Sequence, residues 1–406
     1  MTKQGRAAET EQAIHEYARL EKSLLMRIIA GDYAPGERLP NYNQLAREFG
    51  VGQATVQKAM DRLGVDGFVR TRWRSGTYVA DAPPHLVKTA MVTPFAVRDT
   101  QFYVALHEAS RRIAKQGVTE FEYYHTDIAV DRRGDWERLC DDAAHHRFGA
   151  IVFTTPPYTE LGSPAITEPG IRRVMVAPES GYGMPAVGPD ISSFQRRAVK
   201  YLTSRGRKRI AHLCVDVGHV SPDRVFDDLA SLGAELRPYW VQWASNGQLF
   251  RPAAGIARLL MELEGDKRPD ALVIHDDNLI EHVIGGLLTA GVKVPEQLEI
   301  VAHTNFPNLV PSLLPIKRLG FDCEAILRKC LDVIELQKST RSLIHVDIQA
   351  VFEEEIPAPL VNLGRRSFSP DRHHSSSNSG PGAWPPPPSI AISVEDDPAA
   401  SSSSQA

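Results

Sequence analysis

The chain has 406 residues, 42% of them hydrophobic and 24% charged, with a formal net charge of −4. That length supports two or three domains with sizeable cores, and the mild acidity excludes a coat that binds nucleic acid over the whole surface. No apolar run approaches the roughly 18 residues of a membrane span and the polar N-terminus lacks a secretory pattern, so a cytoplasmic protein without a membrane partner is expected.

The four cysteines, Cys140, Cys214, Cys323 and Cys330, show no CxxC or zinc-finger spacing and read as reduced, mostly buried thiols. Residues 1–10 read as a loose end. From about Glu11 to Ala30, Ile14, Tyr17, Leu20, Leu24, Leu25 and Ile28 recur as on an amphipathic helix, which Gly31 and Pro35-Gly36 terminate. Between Leu39 and Val79 the pattern reads helix, tight turn, helix, two-stranded hairpin. Leu45, Ala46, Phe49, Val51, Val56, Ala59, Met60 and Leu63 fall at intervals of three and four. Asn41 is placed to cap the first helix, because its side-chain oxygen can take an orphan backbone N–H. Gly50-Val51-Gly52 makes the turn, and Phe68–Arg72 with Gly76–Val79 makes the hairpin. This is the outline of a winged helix-turn-helix whose second helix enters the DNA major groove. Residues 41–80 carry six Arg or Lys against three Asp or Glu, a local charge of +3.

The same stretch resembles the GntR family of bacterial regulators, through Pro35-Gly36, Leu39-Pro40, Leu45-Ala46, Val51, Thr55-Val56, Ala59-Met60, Leu63, Gly67 and Gly76-Thr77-Tyr78-Val79. Where that family commonly has Arg, this chain has Asn43, Gln53 and Gln57; Gly52 stands for the usual Ser and Arg74 for the first wing Gly. Arg favours guanine, whereas Asn and Gln suit adenine N6/N7. The expected operator is therefore poorer in guanine, read by Asn43, Gln53 and Gln57 with Thr55 beside them. Lys58, Arg72 and Arg74 would mainly hold phosphates. The competing reading is a solvated helix face, with DNA read elsewhere.

Asp81–His85, with Pro83-Pro84, reads as a stiff, extended spacer. Beyond it strands and helices alternate. Strands are expected at 87–93, 120–124, 150–153, 173–177, 210–215, 239–243, 271–274 and 299–302. Helices are expected at 102–115, 133–146, 192–204, near 224–232, at 253–264, 279–290 and 325–337, before a closing strand at 344–351. Such alternation implies doubly wound parallel sheets, and the length implies two α/β lobes with ligand in the crevice at the carboxyl ends of the strands.

Val187–Asp190, Ala198–Leu202, Gly206–Ile210, Pro269–Asp276, Gly291–Pro295, Leu298–Val301 and Ile316–Asp322 resemble stretches of LacI/GalR-type sensors, which share the periplasmic-binding-protein fold. The combination is similar to arabinose-repressor-like hybrids, with a GntR-type unit in place of the LacI-type one. The resemblance implies a homodimer on two-fold operator DNA and a small-molecule effector, a sugar or sugar derivative, that releases the DNA. It places Asp190, Arg224 and Asp276 at positions that contact ligand, and His275 and Asn305 are expected effector contacts beside them, although these two and Thr304 stand where the family has other residues. Phe95, Phe102 and Tyr103 either cover a sugar ring or pack the lobe. Arg224 and Asp276 either orient hydroxyls or form a structural ion pair. His275-Asp276-Asp277 points its side chains in different directions, so no metal and no cofactor is expected there.

Catalysis finds no support in a G-x-S-x-G elbow, a P-loop, a G-x-G-x-x-G or an H-E-x-x-H motif. From Arg365 the sequence is rich in Ser, Pro and Gly and reads as a disordered tail, His373-His374 included. The expected organisation is a winged helix-turn-helix at 11–80, a linker at 81–86, a two-lobed effector-binding and dimerisation domain at 87–357, and a tail at 365–406. A ligand-responsive repressor is the leading reading. A DNA-binding protein whose lobes are a ligand-independent dimerisation scaffold, or an enzyme on a small metabolite, are the alternatives.

Overall fold

The computed structural model describes residues 3–94, 100–126, 134–157, 160–215, 232–235, 237–244, 250, 252–339 and 342–356, with side chains from residue 16 onward. Phe95, Arg224, the helix expected near 224–232 and the tail expected at 365–406 lie outside the described residues.

The N-terminal unit is built from α1 (Lys3–Ala30), α2 (Tyr42–Phe49), α3 (Gln53–Val65), β1 (Val69–Arg72) and β2 (Gly76–Val79). α1 begins eight residues before the expected start, so most of the stretch read as a loose end is helical. Leu20, Leu24, Leu25 and Ile28 of α1 close with Leu45, Val56, Ala59, Met60, Leu63, Phe68 and Val79 into one small core. Asn41 caps α2 as expected: it accepts from Gln44 N at 2.9 Å, while Gln44 Oε1 accepts from Asn41 N at 2.8 Å. Gly50 ends α2 at φ 66°, a left-handed conformation that favours glycine. β1 and β2 pair antiparallel from Val69 opposite Val79 to Arg72 opposite Gly76, leaving Trp73–Ser75 as the tip of the wing.

The expected extended spacer is not extended throughout. Pro84–Val87 forms a helical turn, α4, with Pro84 at its first position, where a missing N–H costs nothing. His85 stacks on Phe68 at 5.7 Å between ring centroids. A Cβ on Gly149 would lie 1.9 Å from the His85 carbonyl oxygen, so only glycine lets this turn rest on the first lobe. The winged helix is therefore docked on the lobe rather than held away from it.

The first lobe contains β3 (Lys88–Thr93), α5 (Gln101–Lys115), β4 (Glu120–His125), α6 (Trp136–Ala144), β5 (Ala150–Phe153), α7 (Pro164–Thr167), β6 (Arg172–Val176) and β7 (Ala186–Pro189). The second contains α8 (Ile191–Ser204), β8 (Ile210–Val215), β9 (Val241–Ala244), α9 (Pro252–Glu262), β10 (Ala271–Ile274), α10 (Ile280–Thr289), β11 (Glu299–Phe306) and β12 (Lys317–Asp322). α11 (Cys323–Leu336) returns to the first lobe, followed by β13 (His345–Ile348) and then β14 (Val351–Phe352).

Among the described residues the first sheet runs β4-β3-β5-β6-β7-β13, all parallel. The second runs β9-β8-β10-β11-β12-β14, parallel except for β14. The expectation of two doubly wound α/β lobes behind a winged helix is met. The expected closing strand 344–351 is instead two strands, one in each sheet, because the chain crosses between lobes at Gln349-Ala350. The strand expected at 239–243 starts two residues late, after a turn at Pro238–Trp240 in which the buried indole donates to Lys267 O at 2.8 Å. β11 extends four residues beyond the expected 302, carrying Thr304 and Asn305 inside the strand.

The chain thus crosses between the lobes at three places: into α8 at Asp190, into α11 at Asp322, and between β13 and β14. Asp190 is the junction of two of them. Its Oδ1 accepts from Ser193 N at 2.9 Å, its Oδ2 accepts from Gln349 Nε2 at 3.0 Å, and its N donates to Ile348 O at 2.9 Å.

Candidate functional site

The recognition helix α3 turns Val56, Ala59, Met60 and Leu63 inward and leaves Gln53, Gln57 and Lys58 exposed, as the 3.6-residue period dictates. Between this helix and the wing lies a groove of about 560 Å³, whose lining includes Arg38, Gln57, Asp61, Arg72 and Arg74. The structure thus brings three of the expected DNA-facing residues, Gln57, Arg72 and Arg74, to one concave surface. Arg38 was not expected there. It precedes the helical pattern, and it reaches the wing only because its backbone bridges to Tyr78 in the fold. Gly76 lies so close to the Arg38 guanidinium that a Cβ on it would sit 2.9 Å from Nε.

The other four are placed less simply. Gln53 Nε2 donates to Asn43 Oδ1, so these two exposed amides form one pair across α2 and α3. Gln57 Nε2 donates to Asp61 Oδ1 at 2.7 Å, which occupies one of its two N–H donors. Lys58 lies over the Tyr17 ring of α1 at 4.0 Å, turned from the groove rather than reaching out to a phosphate. Thr55 is half-buried. Arg72 lies over Tyr78 at 4.8 Å, and Arg74, at φ 58°, holds the wing tip beside an exposed Trp73.

The second candidate site is the crevice at the carboxyl ends of the parallel strands. On the first lobe these ends carry Thr93, His125 and Thr155; Thr93 Oγ1 lies 2.9 Å from His125 Nδ1, and Thr155 Oγ1 lies 3.0 Å from Tyr103 OH. Phe102 is half-buried beside Tyr103, at 5.6 Å between ring centroids, on the edge of the lobe core. On the second lobe Asp276 follows β10, half-buried. Its Oδ1 accepts from Asn278 N at 2.8 Å and from Asn278 Nδ2 at 2.6 Å.

Two of the expected effector residues do not face the crevice freely. Asn305 is 4% exposed. Its Nδ2 donates to both oxygens of Asp277, at 3.1 and 3.0 Å, and its backbone N donates at 3.0 Å. Burial pushes the Asp277 carboxyl up to about 7, with Asp276 adding to the rise. His275 points under α8: its Nε2 lies 3.0 Å from His212 Nδ1, and its ring packs edge-on to Phe194. His303 on β11 touches Phe194 and Phe321 from the same face. Burial drives His212 down to about 3, His303 to about 4, and His275 well below the ordinary histidine value. All three are neutral at physiological pH. Asp190, described above, is spent on the crossing.

The residues that do meet across the crevice are ones the sequence did not single out. Gln101, at the start of α5 in the first lobe, donates its N to Asn278 Oδ1 at 3.1 Å, and accepts from Asn308 Nδ2 at 2.6 Å. Among the described residues no group of histidine, cysteine, aspartate and glutamate is arranged to hold a metal ion. No described helix is long and apolar enough to cross a membrane.

Residues 16–79 match the family model described as bacterial regulatory proteins of the gntR family, and residues 199–329 match a periplasmic binding protein-like domain. The chain is 22% identical over 310 residues to the arabinose metabolism transcriptional repressor of Geobacillus stearothermophilus, covering 73% of this chain and 84% of that one. It is 21% identical to the protein of the same name from Halalkalibacterium halodurans, covering 80% and 91%. A LacI transcriptional regulator from a Rhodococcus species superposes with a TM-score of 0.51 at 17% identity, covering 65% of this chain and 96% of that one. The chain thus joins a winged helix-turn-helix that matches the gntR family model to a two-lobed domain of periplasmic-binding-protein-like fold, the plan of a DNA-binding transcription regulator and similar over most of its length to the two arabinose metabolism repressors.

Proposed function

We propose that this protein represses transcription by binding a two-fold operator as a homodimer, and that a small polyhydroxylated ligand in the interlobe crevice releases it. The observation that carries this reading is one fold joining an exposed recognition helix to a two-lobed sensor with polar strand ends. Relatives named as arabinose metabolism repressors align over most of their length and support it. Thr93, His125, Thr155 and Asp276 supply hydrogen-bonding groups of the kind that orient hydroxyls. Neutral hydroxyls at Thr93 and Thr155 beside the acidic Asp276 side chain suit an uncharged sugar better than a carboxylate or phosphate.

A second reading is favoured by Gln101. Its two bonds join the lobes across the mouth of the crevice, as in a scaffold that needs no ligand. Thermal-shift screening of neutral sugars and sugar derivatives, with operator affinity measured beside it, separates the two. The sensor reading requires a stabilising compound that also weakens operator binding. A screen without any stabiliser would leave the scaffold reading standing, and turnover of a tight-binding compound would establish an enzyme.

A further inference from the structure

The recognition helix is fastened to the sensor at its far end. Asp66 closes the C-terminus of α3, and its side chain is only 9% exposed. Arg147, in the first lobe just past α6, donates Nε to Asp66 Oδ1 at 2.9 Å. The same guanidinium donates Nη1 to Asp142 Oδ1 at 2.5 Å and to Asp141 Oδ2 at 2.9 Å. Asp142 is itself held, since Oδ2 accepts from the hydroxyl of the fully buried Tyr124 at 2.6 Å. Tyr124 is anchored edge-on against Phe148. An arginine fork gripped by three carboxylates, one of them backed by a core tyrosine, is a fixed point rather than a flexible surface pair.

Arg147 is not in the groove and cannot touch DNA through α3's exposed face. What it fixes is direction. α3 is 13 residues long and meets the lobe through its C-cap Asp66, while the rest of the winged helix rests on the α4 turn, whose His85 stacks on Phe68 and whose carbonyl lies against Gly149. Of these, the Arg147–Asp66 bond is the charged contact, and it acts on the helix itself. We infer that Arg147 is a positioning residue for operator recognition, holding each recognition helix at a set angle to the sensor so that two copies present their helices at one spacing. The inference rests on the reading of a paired operator bound by two copies.

The test uses the full-length protein and operator DNA recovered by binding-site selection, in three forms: one half-site, the paired site, and the paired site lengthened by two base pairs. Wild type binds the paired site more tightly than the half-site, and loses that advantage on lengthening. Arg147→Gln and Asp66→Asn keep half-site affinity and lower paired-site affinity by about tenfold or more, because a loosened helix lowers the effective concentration at the second half-site. They also discriminate less between the two spacings, and Arg147→Lys restores part of the advantage. A purely structural role would weaken half-site and paired-site binding together. Unchanged spacing preference in both variants would overturn the inference alone. A wild type that binds half and paired sites equally would overturn the paired-operator reading, and this inference with it. Should one variant not fold, the other removes the charge pairing from the opposite side.

Discussion

Acid should destabilise this protein through a specific set of buried histidines, and His212 is where the effect can be isolated. The His212 side chain is fully buried on β8, and its Nδ1 faces His275 Nε2 at 3.0 Å. One ring must donate and the other accept, so two imidazolium ions would meet donor to donor. Burial lowers His212 from 6.5 to about 3 in the folded state. A depressed folded value means the stability is present above the unfolded value of 6.5 and is lost as the pH falls below it. Between pH 7 and pH 5 the unfolded ring gains most of a proton while the folded ring gains none, which costs about 2 kcal/mol. His303, lowered to about 4, contributes a similar amount, and His275 has the same sign. Asp277 opposes them. Its folded value is raised to about 7, so its contribution is lost as pH rises through 7, and acidification from 7 to 5 recovers about 2 kcal/mol. The carboxyl thus cancels roughly one histidine and the net loss remains. Urea unfolding of wild type and His212→Gln at pH 7, 6 and 5 measures this, the amide keeping a donor towards His275. The variant should lose about 2 kcal/mol less than wild type over that range, whatever its stability at pH 7. Equal losses in the two proteins would refute the assignment of a neutral, buried ring.

Other perturbations address the remaining parts. Asn41→Ala removes the reciprocal cap of α2 and should cost about 1 kcal/mol in urea unfolding of the winged helix. Gly149→Ala drives a methyl into the His85 carbonyl; it should destabilise by about 1–3 kcal/mol and open residues 80–88 to protease. Asp61→Ala releases the donor of Gln57 and should shift the base preference at one operator position, read by binding-site selection at fixed salt. Asn43→Ala and Gln53→Ala, which break the same amide pair from either side, should alter that preference together and not additively. Unchanged preference in both would place base reading elsewhere.

How much of this could be read from the chain follows from how local each signal is. The α2–turn–α3 pair and the wing were legible in the chain, unlike the start of α1, because their caps, glycine turn and periodicity lie within a few positions of what they control. Gln44 answers Asn41 three residues away. The buried strands 150–153, 210–215 and 271–274 were equally clear, being short apolar runs between turns. The crevice was not. Asn305 stands where family resemblance places a ligand contact, yet its amide goes to Asp277, a partner 28 residues away. Gln101 carries no sequence signal, because its partners Asn278 and Asn308 are 177 and 207 residues distant. The linker failed for a different reason. Proline fixes φ near the value shared by extended chain and the first turn of a helix, so Pro83-Pro84 fitted both, and the close approach to Gly149 decided between them. The crossing at Gln349-Ala350 continues an unbroken strand-like pattern, and nothing local marks that the partner sheet has changed.

These placements constrain how a ligand can reach the DNA. Among the described residues the winged helix is fastened to the first lobe, through Arg147 and the His85 turn. A ligand that merely binds cannot move it; only a ligand whose affinity differs between two lobe arrangements can. Among the described residues the second lobe is tied to the first by three chain crossings, by buried apolar side chains of both lobes that pack as one cluster, and by Gln101 with Asn278 and Asn308 across the mouth. A ligand whose hydroxyls replace both Gln101 bonds, the backbone N–H to Asn278 and the side-chain oxygen to Asn308, exchanges neutral hydrogen bonds for neutral hydrogen bonds at little net cost, and removes the polar tie that opposes a swing of the second lobe about Asp190. That swing leaves each winged helix where it was relative to its own first lobe. It alters the distance between two winged helices only where the second lobes take part in the contact between copies. On the proposed reading, release by a ligand therefore requires a dimer joined through the second lobe as well as the first, and a contact confined to the first lobes predicts operator binding that does not respond to whatever fills the crevice.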